Sequence, residues 1–160
     1  MTDRTVVPAT FEPEFVAALK TLFEEWIVFN KTLGLEITEV TPEGAAARLA
    51  MQPILIGHHG HQRLHGGVIS ATLDALGGLA VMAAIGARHM DEPIASRMMR
   101  FTRLGTIDLR VDYLRQATGP HFTARAQALR LGSRVASTRM EFFGADGQLL
   151  ATGAAAFIVS

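Results

Sequence analysis

The stretch LHGGVISATLD, residues 64–74, decides how this chain folds. Two glycines, Gly66 and Gly67, stand where an apolar helix begins. From there to residue 87 the chain is hydrophobic nearly all round, with Val68, Ile69, Leu73, Leu76 and Leu79, so the predicted helix 66–87 is buried rather than laid on a surface. One carboxylate, Asp74, sits among those residues. Glycine is a poor helix former, and an ionised carboxylate in apolar surroundings is costly unless it is paired or used. Both departures call for a reason.

Upstream, residues 1–13 are expected to form a flexible lead-in to a single helix over 14–31. In that helix Phe15, Leu19, Leu22, Trp26 and Phe29 recur at alternating steps of four and three, an amphipathic stripe. Gly34 ends it. Residues 35–41 alternate Leu35 and Ile37 with Glu36 and Thr38, Pro42 to Gly44 form a turn, and 45–52 read as a second strand with Arg48 and Gln52 facing away from Leu49 and Met51. The His- and Gly-rich segment 53–64 reads as a loop. Downstream, 88–105 is polar and basic, a loop with a short helix on which Arg97, Arg100 and Arg103 are expected to form a solvated face.

The period then changes to two. In 106–114, Ile107, Leu109, Val111 and Tyr113 share one face, and Thr106, Asp108, Arg110 and Asp112 the other. Strands at 121–131, 134–143 and 149–159 follow, separated by turn signals at Gly119-Pro120, Gly132-Ser133 and Asp146-Gly147. Short links make neighbours antiparallel. The order is helix, two strands, buried helix, four strands: an α+β domain in which an antiparallel sheet wraps the helix 66–87.

Composition narrows the function. A chain of 160 residues makes one ordinary domain. Hydrophobic residues are 49% and charged residues 19%, an apolar excess that a subunit interface or a ligand channel would absorb. Fifteen basic residues balance fifteen acidic ones, so nothing favours a nucleic-acid partner. There is no cysteine, which excludes disulfides, thiolate catalysis and Cys-based zinc sites. The start, MTDRTVVPATFEPE, lacks the apolar core of a signal peptide, and the uncharged run 75–87, with three glycines, is too short to span a bilayer. No membrane association and a cytoplasmic location are expected.

The element order, with His65, Gly66 and Gly67 opening the buried helix and Asp74 nine residues after the histidine, resembles the hotdog-fold acyl-CoA thioesterases, and among them the PaaI-like group. GTIDLRVDYLR (105–115) and the glycine turn at Gly132 are similar to the medium- and long-chain YigI-like branch. The resemblance covers roughly residues 30 to 160. It departs at two places: His58 and His59 stand where many members carry an asparagine, and Gln116 follows YLR where many have proline.

The resemblance implies hydrolysis of acyl-CoA to a carboxylic acid and free CoA, by a homodimer or dimer of dimers, with no cofactor, since CoA belongs to the substrate. Thioester hydrolysis needs a base or nucleophile, donors for the developing oxyanion and an acyl pocket. Backbone N–H groups at a helix N-terminus are ready donors, and glycine lets a carbonyl approach them. Gly66 is then the chief donor and Gly67 shapes the turn. His65 either positions the thioester or only hydrogen-bonds across the helix entry. Asp74 is a base, a nucleophile, or a structural carboxylate bonded to Thr72 or Thr106; a hydroxyl at Thr106 can orient the acid or a water. His59, Arg115, Gln116, Arg130, Gly132, Ser133 and Arg134 are the residues implied to contact the substrate and its CoA, arginine being suited to phosphate by its planar fork.

Geometry adds a constraint. Nine helical residues rise about 13 Å, at about 1.5 Å each, so Asp74 cannot serve the oxyanion donors at its own helix start. If both act on one thioester, they come from two chains. Gly77 and Gly78, mid-helix, are ascribed to close packing. The histidines at 58, 59, 61 and 65 have ligand-like spacings, but no cysteine or carboxylate accompanies them, and a polar loop at the pocket entrance is preferred to a metal site. A non-catalytic acyl-CoA-binding protein and a hotdog hydratase or dehydratase are the alternatives; the second needs a histidine and a carboxylate on one β-carbon, which His65 and Asp74 do not supply in one chain.

Overall fold

The computed structural model describes residues 10–160. Of the lead-in expected to be flexible, residues 1–9 lie outside the described residues. Residues 11–13 are held: Phe11 is buried and meets Phe15 edge-on at 5.0 Å, and Pro13 opens the first helix, α1 (Pro13–Thr21).

The helix expected to run unbroken over 14–31 is broken. After α1 the chain makes one π turn, Leu22–Trp26, closed by the Ile27 N–H donating to the Leu22 carbonyl at 3.0 Å. Ile27 then leaves the helical region (φ −79°, ψ 90°), and a short α2 (Val28–Leu33) follows, stopped by Gly34 at φ 72°. The extra residue in the π turn rotates everything after it. Phe23 is buried in place of Leu22, Asn30 and Leu33 come inside, and Trp26 and Phe29 turn outward. The Phe23 carbonyl, robbed of its usual backbone donor, accepts from Asn30 Nδ2 at 3.1 Å. That bond holds the break.

Strands β1 (Leu35–Thr41) and β2 (Gly44–Ala50) form a hairpin as expected. The segment 53–64, expected to be a loop, contains a small hairpin, β3 (Ile56–His58) with β4 (Arg63–Leu64). Next come α3 (Gly66–Arg88), α4 (Ile94–Met99), and the strands β5 (Gly105–Tyr113), β6 (His121–Leu131), β7 (Val135–Gly144) and β8 (Leu149–Ile158). The main sheet runs β1-β2-β6-β7-β8-β5 with every neighbouring pair antiparallel, and it curves round α3.

Alternation explains the layering. Ala45, Ala47 and Leu49 of β2, Phe122 and Ala124 of β6, Met140 and Phe142 of β7, and Ala155 and Phe157 of β8 face the helix. Leu73, Leu76 and Leu79 of α3 are fully buried beneath them, each stabilising the fold by about 1.5–3 kcal/mol. α3 is long and apolar enough to cross a bilayer by length and composition; here most of it is buried in the fold. Gly77 lies against Phe157 and Met140 and Gly78 against Phe157, so both serve close packing on the sheet. In β5 the register shifts between Thr106 and Asp108, and Ile107, expected inside with Leu109 and Val111, is exposed.

Candidate active site

α3 begins at a histidine-capped N-terminus that leaves one backbone donor free among the described residues. His65 is its N-cap residue, and its Nδ1 accepts from the Gly67 N–H at 2.8 Å. A Cβ on Gly67 would lie 2.9 Å from that nitrogen, so glycine is needed for the cap. His65 therefore makes the hydrogen bond across the helix entry that was one of its two expected roles. The Gly66 N–H, by contrast, has no acceptor among the described residues. It points out of the helix where the macrodipole is positive, the geometry an oxyanion needs.

Two residues that the sequence did not single out hold this donor in place. Tyr113, at the end of β5, donates its hydroxyl proton to the Gly66 carbonyl at 2.9 Å, and its ring covers Gly66. Gly57 of β3 passes so close to His65 that a Cβ there would fall 2.6 Å from the histidine Cα. Neither carries a signal in isolation: Tyr113 reads as a core-facing strand residue and Gly57 as one loop glycine among several.

A groove of about 510 Å³ opens over Gly66, lined by His58, His65, Tyr113, Arg115 and Gln116 among others. Arg115 and Gln116, expected to contact the CoA, line the groove at the helix start, with one arm of Arg115 donating to the Leu149 carbonyl at 2.8 Å. His59 does not reach it. The β3–β4 hairpin aligns His58 along the groove and turns His59 into an exposed one-turn helix, His59–His61. His58 and His61 stack with ring centroids 4.8 Å apart, and among the described residues no three His, Asp or Glu side chains are grouped to hold a metal.

Asp74 lies eight residues further along α3, about 12 Å from Gly66. It is half-buried at the flank of the helix, beside the edge strand β5, rather than sunk among the leucines as the sequence suggested. Thr106 Oγ1 donates to its Oδ1 at 2.9 Å. Thr72, the other hydroxyl considered, is committed to the Val68 carbonyl at 2.8 Å. Asp74 faces an apolar chamber of about 290 Å³ whose outer wall comes from the broken N-terminal helix.

Arg130, Gly132, Ser133 and Arg134 line one groove of about 330 Å³ at the β6–β7 turn. Gly132 is required there, since a Cβ would meet the Val135 carbonyl oxygen at 2.7 Å. This turn lies far from Gly66. Arg88, at the last turn of α3, donates to the Leu131 carbonyl at 2.6 Å, and α3 is about 33 Å long between those ends. On the sheet, Val135 and Gly105 both oppose Ile158, so the turn belongs to the Thr106 end of β5. The expected site residues therefore form two groups, Gly66 with Arg115 and Gln116 at one end of β5, and Asp74, Thr106 and 130–134 at the other.

The basic segment after α3 corrects one expectation. Arg97 is not on a solvated face. It is fully buried, its guanidinium 4.3 Å from the Phe15 ring centroid and its Nη2 2.6 Å from Glu12 Oε1. That pair ties α4 to the start of α1, and the Arg97 hydrogen bond holds the Glu12 carboxyl below its ordinary pKa.

Comparison with known proteins agrees with this architecture. The family model described as Thioesterase superfamily matches residues 61–151. The medium/long-chain acyl-CoA thioesterase YigI of Escherichia coli strain K12 is 37% identical over 145 residues, covering 89% of this chain and 94% of the relative. The protein of the same name from Salmonella typhimurium strain LT2 is 40% identical over 147 residues with the same coverage. A crystal structure from Shewanella oneidensis, described as related to the thioesterase superfamily, superposes with a TM-score of 0.85 at 36% identity, over 94% of this chain and all of that one.

Proposed function

From the premise that the chain belongs to the thioesterase superfamily, we propose that it hydrolyses medium- and long-chain acyl-CoA esters in the cytoplasm, as a homodimer that needs no cofactor. The observation that carries the site is the double attachment of α3 to β5. Gly66 is bonded to Tyr113 at one end of that strand and Asp74 to Thr106 at the other. β5 is an edge strand, and Ile107, Tyr113 and Leu114 are exposed along it. An unpaired edge carrying apolar side chains is a template for a second copy.

Two-fold antiparallel pairing of β5 with its copy inverts the strand. Centred near the middle of the strand, it brings the Thr106 end against the partner subunit's Tyr113 end. Asp74 of one protomer then comes beside the partner's Gly66, and the 130–134 turn comes to the end where the partner's Arg115 and Gln116 lie. The two groups that one chain keeps apart are joined by symmetry.

The chemistry follows from that arrangement. The thioester carbonyl oxygen sits on the Gly66 N–H, which donates to no other acceptor among the described residues and strengthens its hold as negative charge develops. Asp74, oriented by the Thr106 hydroxyl, attacks the carbonyl carbon or takes a proton from the water that does. Collapse of the tetrahedral centre expels the CoA thiolate, which leaves as the free thiol once protonated. Where water attacked, the carboxylic acid is left directly; where Asp74 attacked, a water then hydrolyses the acyl–Asp74 anhydride to the acid and restores the carboxylate. The arginines of the two loops hold the CoA phosphates, remote from the reacting carbon.

The test is release of free thiol from a panel of acyl-CoAs, acetyl to palmitoyl, by the wild type and by Asp74→Asn. The substitution is isosteric, so the fold should persist while hydrolysis is mostly lost. Near-wild-type turnover by the variant would remove Asp74 from the mechanism. A wild type that binds acyl-CoA but releases no thiol would make this a binding protein instead.

A further inference from the structure

We infer that the break in the N-terminal helix builds a gauge for acyl-chain length: the chamber it opens beside Asp74 takes a straight alkyl chain of about ten carbons, laid along α3 from Asp74 to Met82. The inference rests on the thioesterase reading and adds the location and size limit of the apolar half of the substrate. It starts from a question the fold leaves open, namely why a stretch of good helix formers, Leu22 to Trp26, should abandon the α-helix.

The answer lies in what the break leaves empty. Had the helix continued, its stripe would have carried Trp26 and Phe29 onto α3. Instead the π turn delivers Phe23 inward, Ile27 becomes extended, and α2 restarts at a different angle with its first residues turned out. Phe23, Ile27 and Phe29 form one wall of the resulting chamber; Ala71, Ala75 and Met82 of α3 form the other. Isolated π turns recur at functional sites because they cost hydrogen-bond geometry and persist where something else gains.

The face of α3 that lines this space is distinct from the face on the sheet. Gly77, Gly78 and Leu73 pack against the strands, whereas Ala71 and Ala75, the two small residues flanking Asp74, keep the near end of the chamber clear. Met82 stands eight residues beyond Asp74. That is about 12 Å of helix, the span of an extended alkyl chain of about ten carbons at bond lengths of about 1.5 Å. Methionine is a flexible end-stop that fits chains of slightly different length. Phe29, 60% exposed, forms the open rim.

Polarity assigns the occupant. Among the described residues the only polar side chains on the chamber are Asp74 at its head and Asn30, whose amide is already spent on the Phe23 carbonyl. No arginine, lysine or histidine among them lines it. The charged and aromatic parts of CoA find their partners elsewhere, so the apolar end of the ester is what this space fits.

The experiment measures kcat/KM for hexanoyl-, decanoyl- and dodecanoyl-CoA with the wild type, Met82→Phe and Ile27→Phe, each shown by circular dichroism to be folded. Filling either wall shortens the chamber. The dodecanoyl-to-hexanoyl ratio is expected to fall about tenfold, the value of roughly two methylenes that no longer find apolar surface. Ile27→Phe, at a residue outside regular helix, carries the test alone should Met82→Phe not fold. An unchanged ratio, or equal slowing on every chain length, would overturn the gauge while the wild type still hydrolyses thioesters. Absence of hydrolysis by the wild type itself would instead remove the thioesterase reading beneath it.

Discussion

Subunit complementation tests the shared site most directly. Two groups acting on one carbonyl must each come within about 3 Å of it, so their reacting atoms lie no more than about 6 Å apart. Gly66 and Asp74 of one chain are about 12 Å apart along a rigid helix. Asp74→Ala removes the acid. Gly66→Pro removes the N–H, and the local backbone suits it: proline is favoured at the first helical position, and His65 before it is already extended at φ −66°, ψ 133°. The Gly66→Pro chain keeps its carbonyl for Tyr113. Each variant alone should be inactive as a folded dimer. Mixed in equal amounts and allowed to exchange, they form mixed dimers in about half of all cases. A mixed dimer holds one intact Asp74 opposite one intact Gly66, and both lesions at its other site. One site in two, in half the dimers, returns about a quarter of wild-type activity under this geometry. The assay is thiol release from decanoyl-CoA, with native mass spectrometry counting mixed dimers. Inactive mixed dimers, verified by mass, would refute the two-chain site.

Tyr113→Phe keeps the ring over Gly66 and deletes the bond to its carbonyl; kcat on decanoyl-CoA should fall about tenfold, the value of one neutral hydrogen bond, with KM little changed. A wild-type kcat would show that the hydroxyl does not position the oxyanion donor. Arg115→Ala and Arg134→Ala should raise KM for acyl-CoA several-fold more than they lower kcat, because phosphate contacts contribute mainly uniform binding; unchanged KM in both would remove these loops from the CoA site. Glu12→Gln should lower the melting temperature at neutral pH by leaving the buried Arg97 without its carboxylate. Since the folded-state pKa of Glu12 is depressed, its stabilisation is present above the ordinary carboxylate value of 4.5 and is lost as pH falls through the folded value. The gap between wild type and variant in thermal melts should therefore close in acid, and a gap constant from pH 7 to pH 3 would refute the pairing.

Most of the sheet and α3 were legible because their periods are set by burial on one face, and burial writes itself into composition. Three of the misreadings share a physical cause, a shift of one residue that leaves composition untouched, and a fourth comes from distant contacts. LFEEW is as good an α-helix as a π turn, and only Asn30, polar where the stripe should be apolar, hints that the register has slipped. The bulge after Thr106 exposes Ile107 in a strand whose alternation looks regular. The β3–β4 hairpin exchanges His58 for His59 on the groove. Arg97, spaced like its solvated neighbours, is buried by Phe15 and Glu12, which lie more than eighty residues away in sequence.

The candidate residues could be named from the sequence, but not their arrangement. Helix rise separates Gly66 from Asp74, so that a thioester served by both needs a second chain, yet it says nothing of how that chain is placed. The missing piece is Tyr113. Read as sequence, it is the last apolar residue of an alternating strand; in the fold it fastens the N-terminus of α3 to the end of β5, as Thr106 fastens Asp74 to the beginning. The edge strand thereby becomes a ruler carrying the donor at one end and the acid at the other. Turning that ruler end for end is what a two-fold axis does, so in the proposed dimer the strand that forms the edge also sets which groups meet. Under that proposal the pairing of Asp74 with Gly66 depends on β5, and loss of pairing along β5 and loss of hydrolysis should occur together.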